Sequence, residues 1–139
     1  MSSIAVLHAC AVSFWFGVIE AEFVIERSRA QSRPHGYAVA RNHYWIDLLL
    51  EVPVALIVLA TGLVLLRDAE PSAALTVKVA AGVIAVAVNV LCLVPVMRRR
   101  AAADAGHLED VIRYSRVIDR ITVIGLPAGV LALLIGVLL

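Results

Sequence analysis

Apolar residues run almost unbroken through four stretches of this chain, about 4–26, 44–66, 75–97 and 117–139, and polar residues gather in the short segments between them. Each stretch meets or approaches the roughly 20 residues a helix needs to cross a hydrocarbon core about 30 Å thick. Helices satisfy their own backbone groups in lipid, and runs of this length exceed what a barrel strand uses. The pattern therefore predicts an all-α integral membrane protein: one antiparallel four-transmembrane-helix bundle over residues 1–139. Pro53, Pro95 and Pro127 fall inside spans, where membrane helices tolerate them. The segment LEDVIRYSRVIDR has spaced apolar positions and no breaker, so the fourth helix should begin before its span.

Composition strengthens that reading: 62% of the 139 residues are hydrophobic and 17% charged, with a mean hydropathy of +0.94. The net charge of +1 hides two arginine clusters, Arg27/Arg29/Arg33/Arg41 and Arg98/Arg99/Arg100/Arg113/Arg116/Arg120. Short loops rich in Lys and Arg are retained in the cytoplasm, so both loops should face inward. The termini and the RDAEPSAAL turn then face outward, an N-out, C-out topology in a bacterial-type inner (cytoplasmic) membrane. Glu and Asp interrupt the arginines, which sit beside spans, so a nucleic-acid role is excluded. Cys10 and Cys92 lie in different spans near opposite faces and suit neither a disulfide nor a zinc motif. MSSIAVLHAC lacks the basic region of a signal peptide and reads as a retained first span.

Small residues recur at packing intervals, Ala9, Ser13, Gly17 and Ala21 on helix 1 and Gly125 with Gly129 on helix 4, which suits close helix contact within the bundle or a homodimer.

The candidate chemistry begins at HYWIDLLLEVP, where His43, Asp47 and Glu51 fall within about 80° on one face of helix 2. On helix 1 the bulky Leu7, Phe14, Val18 and Ile25 are taken to face lipid, which turns Ala9, Ser13, Gly17 and Glu20 inward, with Glu26 at the edge and Glu22 least favourably placed. Asp119 approaches on helix 4 and Asn89 on helix 3. A carboxylate in the hydrocarbon costs about 2.5–3.5 kcal/mol at mid-span. Pairing with Arg41, Arg116 or Arg120 would offset part of that, and a divalent metal would neutralise several carboxylates at once. Carboxylates with one imidazole inside a helical bundle are ligands for iron, manganese or zinc, although the Glu-x-x-His pairs of known di-metal bundles are absent. The expected mono- or dinuclear site comprises Glu20, His43, Asp47, Glu51 and Asp119, then Glu26 and Glu22, with Asn89 behind them. Such a metal would act as Lewis acid or redox centre in a metal-dependent enzyme. Ser13 and Cys10 have no base to activate them for covalent catalysis.

At the opposite end, His8 and Lys78 lie at similar depth, and Asn89 shares Lys78's helical face. Together they could hold an anionic or haem-like ligand.

Leu7-His8, Trp15-Phe16-Gly17, Pro53, Thr61-Gly62, Val77-Lys78 and Pro127 resemble the HemJ-type protoporphyrinogen oxidases and, more loosely, the CopD-like copper-resistance membrane proteins. The resemblance touches all four spans and implies a haem-binding oxidase in which His8 and Lys78 are the functional pair. HYWIDLLLE and the Glu20/Glu22/Glu26 set depart from that family's pattern and suggest a relative built around an inner metal site. A metal-ion or proton transporter running between the two polar ends, and an accessory subunit whose acids meet a partner's arginines, complete the alternatives.

Overall fold

A computed structural model of the protein describes residues 2–138, so Leu139, the end of the fourth expected span, lies outside the described residues. Four helices make up the fold: α1 Ser3–Arg27, α2 Arg33–Arg67, α3 Ala73–Asp104 and α4 Leu108–Leu138. Each is long and apolar enough to cross a membrane. Both arginine-bearing loops fall at one end of the bundle, the arginine-rich end, and the termini at the other.

Serines start three of the helices. Ser2, Ser32 and Ser72 each accept a hydrogen bond from the backbone N–H three residues on, which satisfies a donor the first turn would leave unpaired. Pro34 sits in the first turn of α2, where its missing N–H costs nothing. Gly106, with φ +74°, supplies the left-handed residue that closes α3, and the His107 N–H returns to the Ala102 carbonyl at 2.9 Å.

Three helices outrun their expected spans, α3 by running on to Asp104 beyond the anticipated position 97. The α2 helix begins eleven residues before the anticipated position 44, because the Ser32 cap and Pro34 open it early and its first turns have a surface to pack on. Tyr37 and Ala40 meet Ala102, Ala103 and Val111 there. Tyr37 also donates to the Gly106 carbonyl at 2.8 Å, and Arg41 pairs with Asp104 at 2.6 Å. The α4 helix begins ahead of its apolar stretch, as expected.

The α2 helix is not uniform. Asp47–Glu51 forms a π turn, and Val52 N–H reaches back five residues to the Asp47 carbonyl. Pro53 accounts for it: a proline ring would clash with the carbonyl four residues earlier and donates nothing in return, so the helix widens just ahead of it.

The α3 and α4 helices pair along their length. The Cβ that Gly125 lacks would lie 2.7 Å from Val88 Cγ1, and that of Gly129 would lie 3.1 Å from Phe16 Cζ, so the helix 4 glycines serve close packing. Helix 1 differs from expectation: Ala9, Ser13, Gly17 and Ala21 are all exposed, and nothing lies within 4 Å of a Cβ at Gly17. Its inward stripe is instead His8, Ala11, Trp15, Val18 and Glu22. The bulky-side-out argument fails because Trp15 and Val18 fill the bundle interior while lipid accepts small side chains as readily as large ones.

At mid-length, Ala11 and Trp15 of α1, Val54 and Ala55 of α2 and Ala85 of α3 form an apolar layer. Outside it, Leu49, Leu56, Val83, Val123 and Ile124 are exposed, a surface suited to lipid and unsuited to water. Near the arginine-rich end, Arg100 stacks on Tyr44 at 4.1 Å and on Trp45 at 4.9 Å. Such amphipathic rings favour the level where hydrocarbon gives way to headgroups.

Candidate functional site

Four helices deliver polar side chains to one buried place between the apolar layer and the arginine-rich end. The α1 helix brings Glu22 and Glu26 one turn apart, α2 brings His43, Asp47 and Glu51, α3 brings Arg99, and α4 brings Ser115. Asp47 is 2% exposed and Arg99 1%, while Glu22, His43 and Glu51 are also buried. The π turn lies within this wall, with Asp47 and Glu51 buried at its two ends while Leu48, Leu49 and Leu50 point outward.

Arg99 organises the outer half of this cluster. Its Nη2 donates to Glu26 Oε1 at 2.5 Å, and its Nη1 donates to Glu26 Oε2 at 3.0 Å and Ser115 Oγ at 3.2 Å. His43 Nδ1 lies 2.6 Å from Glu26 Oε1. A carboxylate only accepts, so Nδ1 carries the proton and donates it to Glu26. Arg99 Nη2 and His43 Nδ1 approach to 2.8 Å because both aim at the same oxygen.

That arrangement fixes the other ring nitrogen. His43 Nε2 points into the cluster, 3.4 Å from Asp47 Oδ1 and 4.0 Å from Glu22 Oε1. Neither of those two buried oxygens has a hydrogen-bond partner among the described residues. One possible ligand atom from each of Glu22, His43 and Asp47 lies within 4.8 Å of the other two. Glu51 completes the inner wall by accepting from Trp15 Nε1 at 2.9 Å, and Asn89 faces it from α3.

Of the residues nominated from sequence, Glu22, Glu26, His43, Asp47 and Glu51 come together, and Asn89 stands beside them. Glu20 does not: it is exposed on the opposite side of α1, about 200° around the helix from Glu22. Asp119 is half exposed and lies outside the buried cluster, where it pairs with Arg29 at 2.6 Å. The expected counterions differ as well. Arg41 is taken by Asp104, and Arg116 and Arg120 are exposed with no ion pair among the described residues. Arg99 takes that role. The sequence signal for it is Asn89, Cys92, Val96 and Arg99, spaced three, four and three residues apart on one face.

At the terminal end, His8 Nδ1 lies 2.8 Å from Thr61 Oγ1. Thr61 spends its own proton on the Ile57 carbonyl at 2.6 Å, so His8 Nδ1 donates and Nε2 keeps a lone pair. His8 lies over Gly62, with Cε1 3.3 Å from where a Cβ would be, and the Lys78 amine lies over Gly136 at 3.2 Å by the same measure. The apolar layer of Trp15, Val54 and Ala85 separates this pair from the acidic cluster.

No family model, curated protein or solved structure matches this chain.

Proposed function

We propose that this protein is a multi-pass membrane metalloprotein in which Glu22, His43 and Asp47 bind one divalent transition metal, zinc, iron or manganese, from the cytoplasmic side. The observation that carries the reading is a set of buried atoms aimed at one another: Asp47 Oδ1 and Glu22 Oε1, each without a hydrogen-bond partner, face His43 Nε2. A proton on Nε2 would serve one of the two oxygens, whereas a metal serves all three atoms together. Bonds of about 2.0–2.2 Å in a tetrahedron set neighbouring ligand atoms about 3.3–3.6 Å apart. The 3.4 Å from His43 to Asp47 meets that spacing, and the 4.0 Å to Glu22 needs a small side-chain adjustment. Glu26 and Arg99 supply the supporting shell: Glu26 holds the imidazole in the tautomer that leaves Nε2 free, and Arg99 holds Glu26.

Three protein ligands leave a fourth position for water, the form of site that lowers the pKa of a bound water or polarises a bound substrate. Glu51, fixed by Trp15, would be the carboxylate available to exchange protons with such a water. The apolar layer favours a site loaded from one side over a path through the bundle.

A second reading rests on the resemblance to the HemJ-type oxidases. His8 Nε2 is free, because Nδ1 is spent on Thr61, and so fits an axial haem ligand. Lys78 would balance a propionate. Bound haem would supply one-electron redox chemistry at the terminal end.

One preparation tests both. The protein is purified in detergent, its elements are measured, and its visible spectrum is recorded before and after cobalt(II) is added as an optical stand-in for zinc. The expected result is one equivalent of transition metal, with an affinity lowered at least about tenfold by Asp47→Ala or His43→Ala, in line with removal of a ligand. A Soret band that disappears in His8→Ala would carry the second reading. A colourless protein that takes up neither zinc nor cobalt overturns the first.

A further inference from the structure

On the arginine-rich side of the buried site a chain of hydrogen bonds runs outward, from His43 to Glu26, from Glu26 to Arg99 and Arg29, and from Arg29 to Asp119. Arg29, in the loop between α1 and α2, is 31% exposed, and Asp119 is 50% exposed. Its Nη1 donates to Glu26 Oε2 at 2.9 Å, and its two terminal nitrogens form a fork on Asp119, at 2.9 Å to Oδ1 and 2.6 Å to Oδ2. One side chain thus ties the end of α1 to α4 over the Glu26 carboxylate. Glu26 Oε2 receives Arg29 and Arg99 together, so the carboxylate that supports His43 is also where the closure ends.

The backbone behind Arg29 is held in place. Ser28 N–H reaches the Ile25 carbonyl at 3.0 Å and Arg29 N–H the Glu26 carbonyl at 3.2 Å. Ser28 Oγ donates to the Ile25 carbonyl and accepts from His35 Nε2 at 2.8 Å. Gly36 lies against the Arg29 carbonyl so closely that a Cβ there would sit 2.9 Å from it. The outermost contact that can open without moving this backbone is therefore the Arg29 side chain, which swings off Asp119 and Glu26 while Arg99 stays on Glu26.

We infer that Arg29 and Asp119 form a gate controlling how fast a divalent cation reaches the Glu22/His43/Asp47 site, with Asp119 and Glu26 Oε2 as the first carboxylates the cation meets once Arg29 swings away. The inference rests on the metal reading of that site and adds the route to it. The closed fork places a positive charge in front of an incoming cation, while the freed Asp119 places a negative one there. Displacement of Arg29 by the cation exchanges one countercharge of Asp119 for another, so the carboxylate is never left bare. Asp119, nominated from sequence as a permanent ligand, becomes a way-station, joined to Glu26 through Arg29 but outside the buried cluster.

The two members of the pair should respond in opposite directions. In nanodiscs, zinc uptake and its release to a chromophoric chelator are followed by stopped flow. Arg29→Gln removes the blocking charge and frees Asp119, so uptake and release should both quicken by about tenfold, with equilibrium affinity changed by less than about threefold. Asp119→Asn removes the receiving charge while Arg29 stays on Glu26, so uptake should slow by about threefold or more. An ion pair with a purely structural role would shift both variants the same way, and that result overturns the gate. So does a pair of variants with unchanged rates. Arg29→Lys, which keeps the charge and loses the fork, should fall between wild type and Arg29→Gln, and provides the same test if the glutamine variant unfolds. A wild-type protein that holds no zinc at equilibrium overturns the metal reading and the gate with it, whereas normal zinc binding with the wrong kinetics overturns the gate alone.

Discussion

Arg99 is 1% exposed and engages Glu26, itself only 13% exposed, through both terminal nitrogens, so the pair is largely cut off from water. Removing one member of a buried ion pair leaves the other uncompensated, at a cost of about 3–5 kcal/mol. Arg99→Met should therefore lower stability by about that much in detergent unfolding, and Arg99→Met with Glu26→Gln should recover most of the loss. A single variant within about 1 kcal/mol of wild type would show that Arg29 and His43 alone satisfy Glu26. Sequence hides this residue because Arg98, Arg99 and Arg100 form an uninterrupted run at the end of an apolar stretch, and composition does not say which one turns inward. The face that carries Asn89, extended through Val96, does point to it. Glu20 and Glu22 show the same limitation. They are two positions apart, so only the correct helix face decides between them, and side-chain bulk picks the wrong face where the polar stripe His8, Trp15, Glu22 picks the right one. Within α2 the spacing suffices: His43, Asp47 and Glu51 are legible as one wall because four-residue spacing survives any choice of rotation.

The helices themselves are readable from sequence, since long apolar runs leave the backbone one way to satisfy its hydrogen bonds in lipid. Their continuation beyond the apolar stretch is not. The first turns of α2 are polar on average, and their helix depends on a serine cap, Pro34 and packing of Tyr37 and Ala40 against α3 and α4. Nothing in the hydrophobic period announces the π turn either. Pro53 causes it, and Asp47 and Glu51 stand buried at its two ends. Pro53→Ala removes the clash that widens the helix and allows an ordinary turn to form. Losing the extra residue would rotate the His43 half of α2 by about 100° relative to the Val54 half. Zinc affinity should then fall by about tenfold, comparable to losing a ligand's support, while helix content by circular dichroism stays the same. Unchanged affinity in an isothermal titration would mean the π turn is held by something other than the proline.

At the level of the entire bundle, we propose that the arginines decide orientation. Both clusters lie at one end, and exposed Arg27, Arg98, Arg116 and Arg120 ring the perimeter there. Short loops with this bias stay in the cytoplasm. A reporter fused after the last helix should accordingly be active only if it requires the outer compartment, as alkaline phosphatase does, and a fluorescent protein at the same place should stay dark. The reverse pattern would put the acidic site on the outside and invert the proposed direction of loading. The apolar layer of Ala11, Trp15, Val54, Ala55 and Ala85 has an electrical consequence whichever way the chain is inserted. A membrane potential drops mainly across low-dielectric material, and a unit charge carried through the full drop exchanges about 2.3 kcal/mol per 100 mV. A cation that enters from the arginine-rich end and stops at His43 has not crossed that layer, so it samples little of the field. Occupancy of the site then tracks the ion concentration on one side and is nearly blind to the voltage across the membrane.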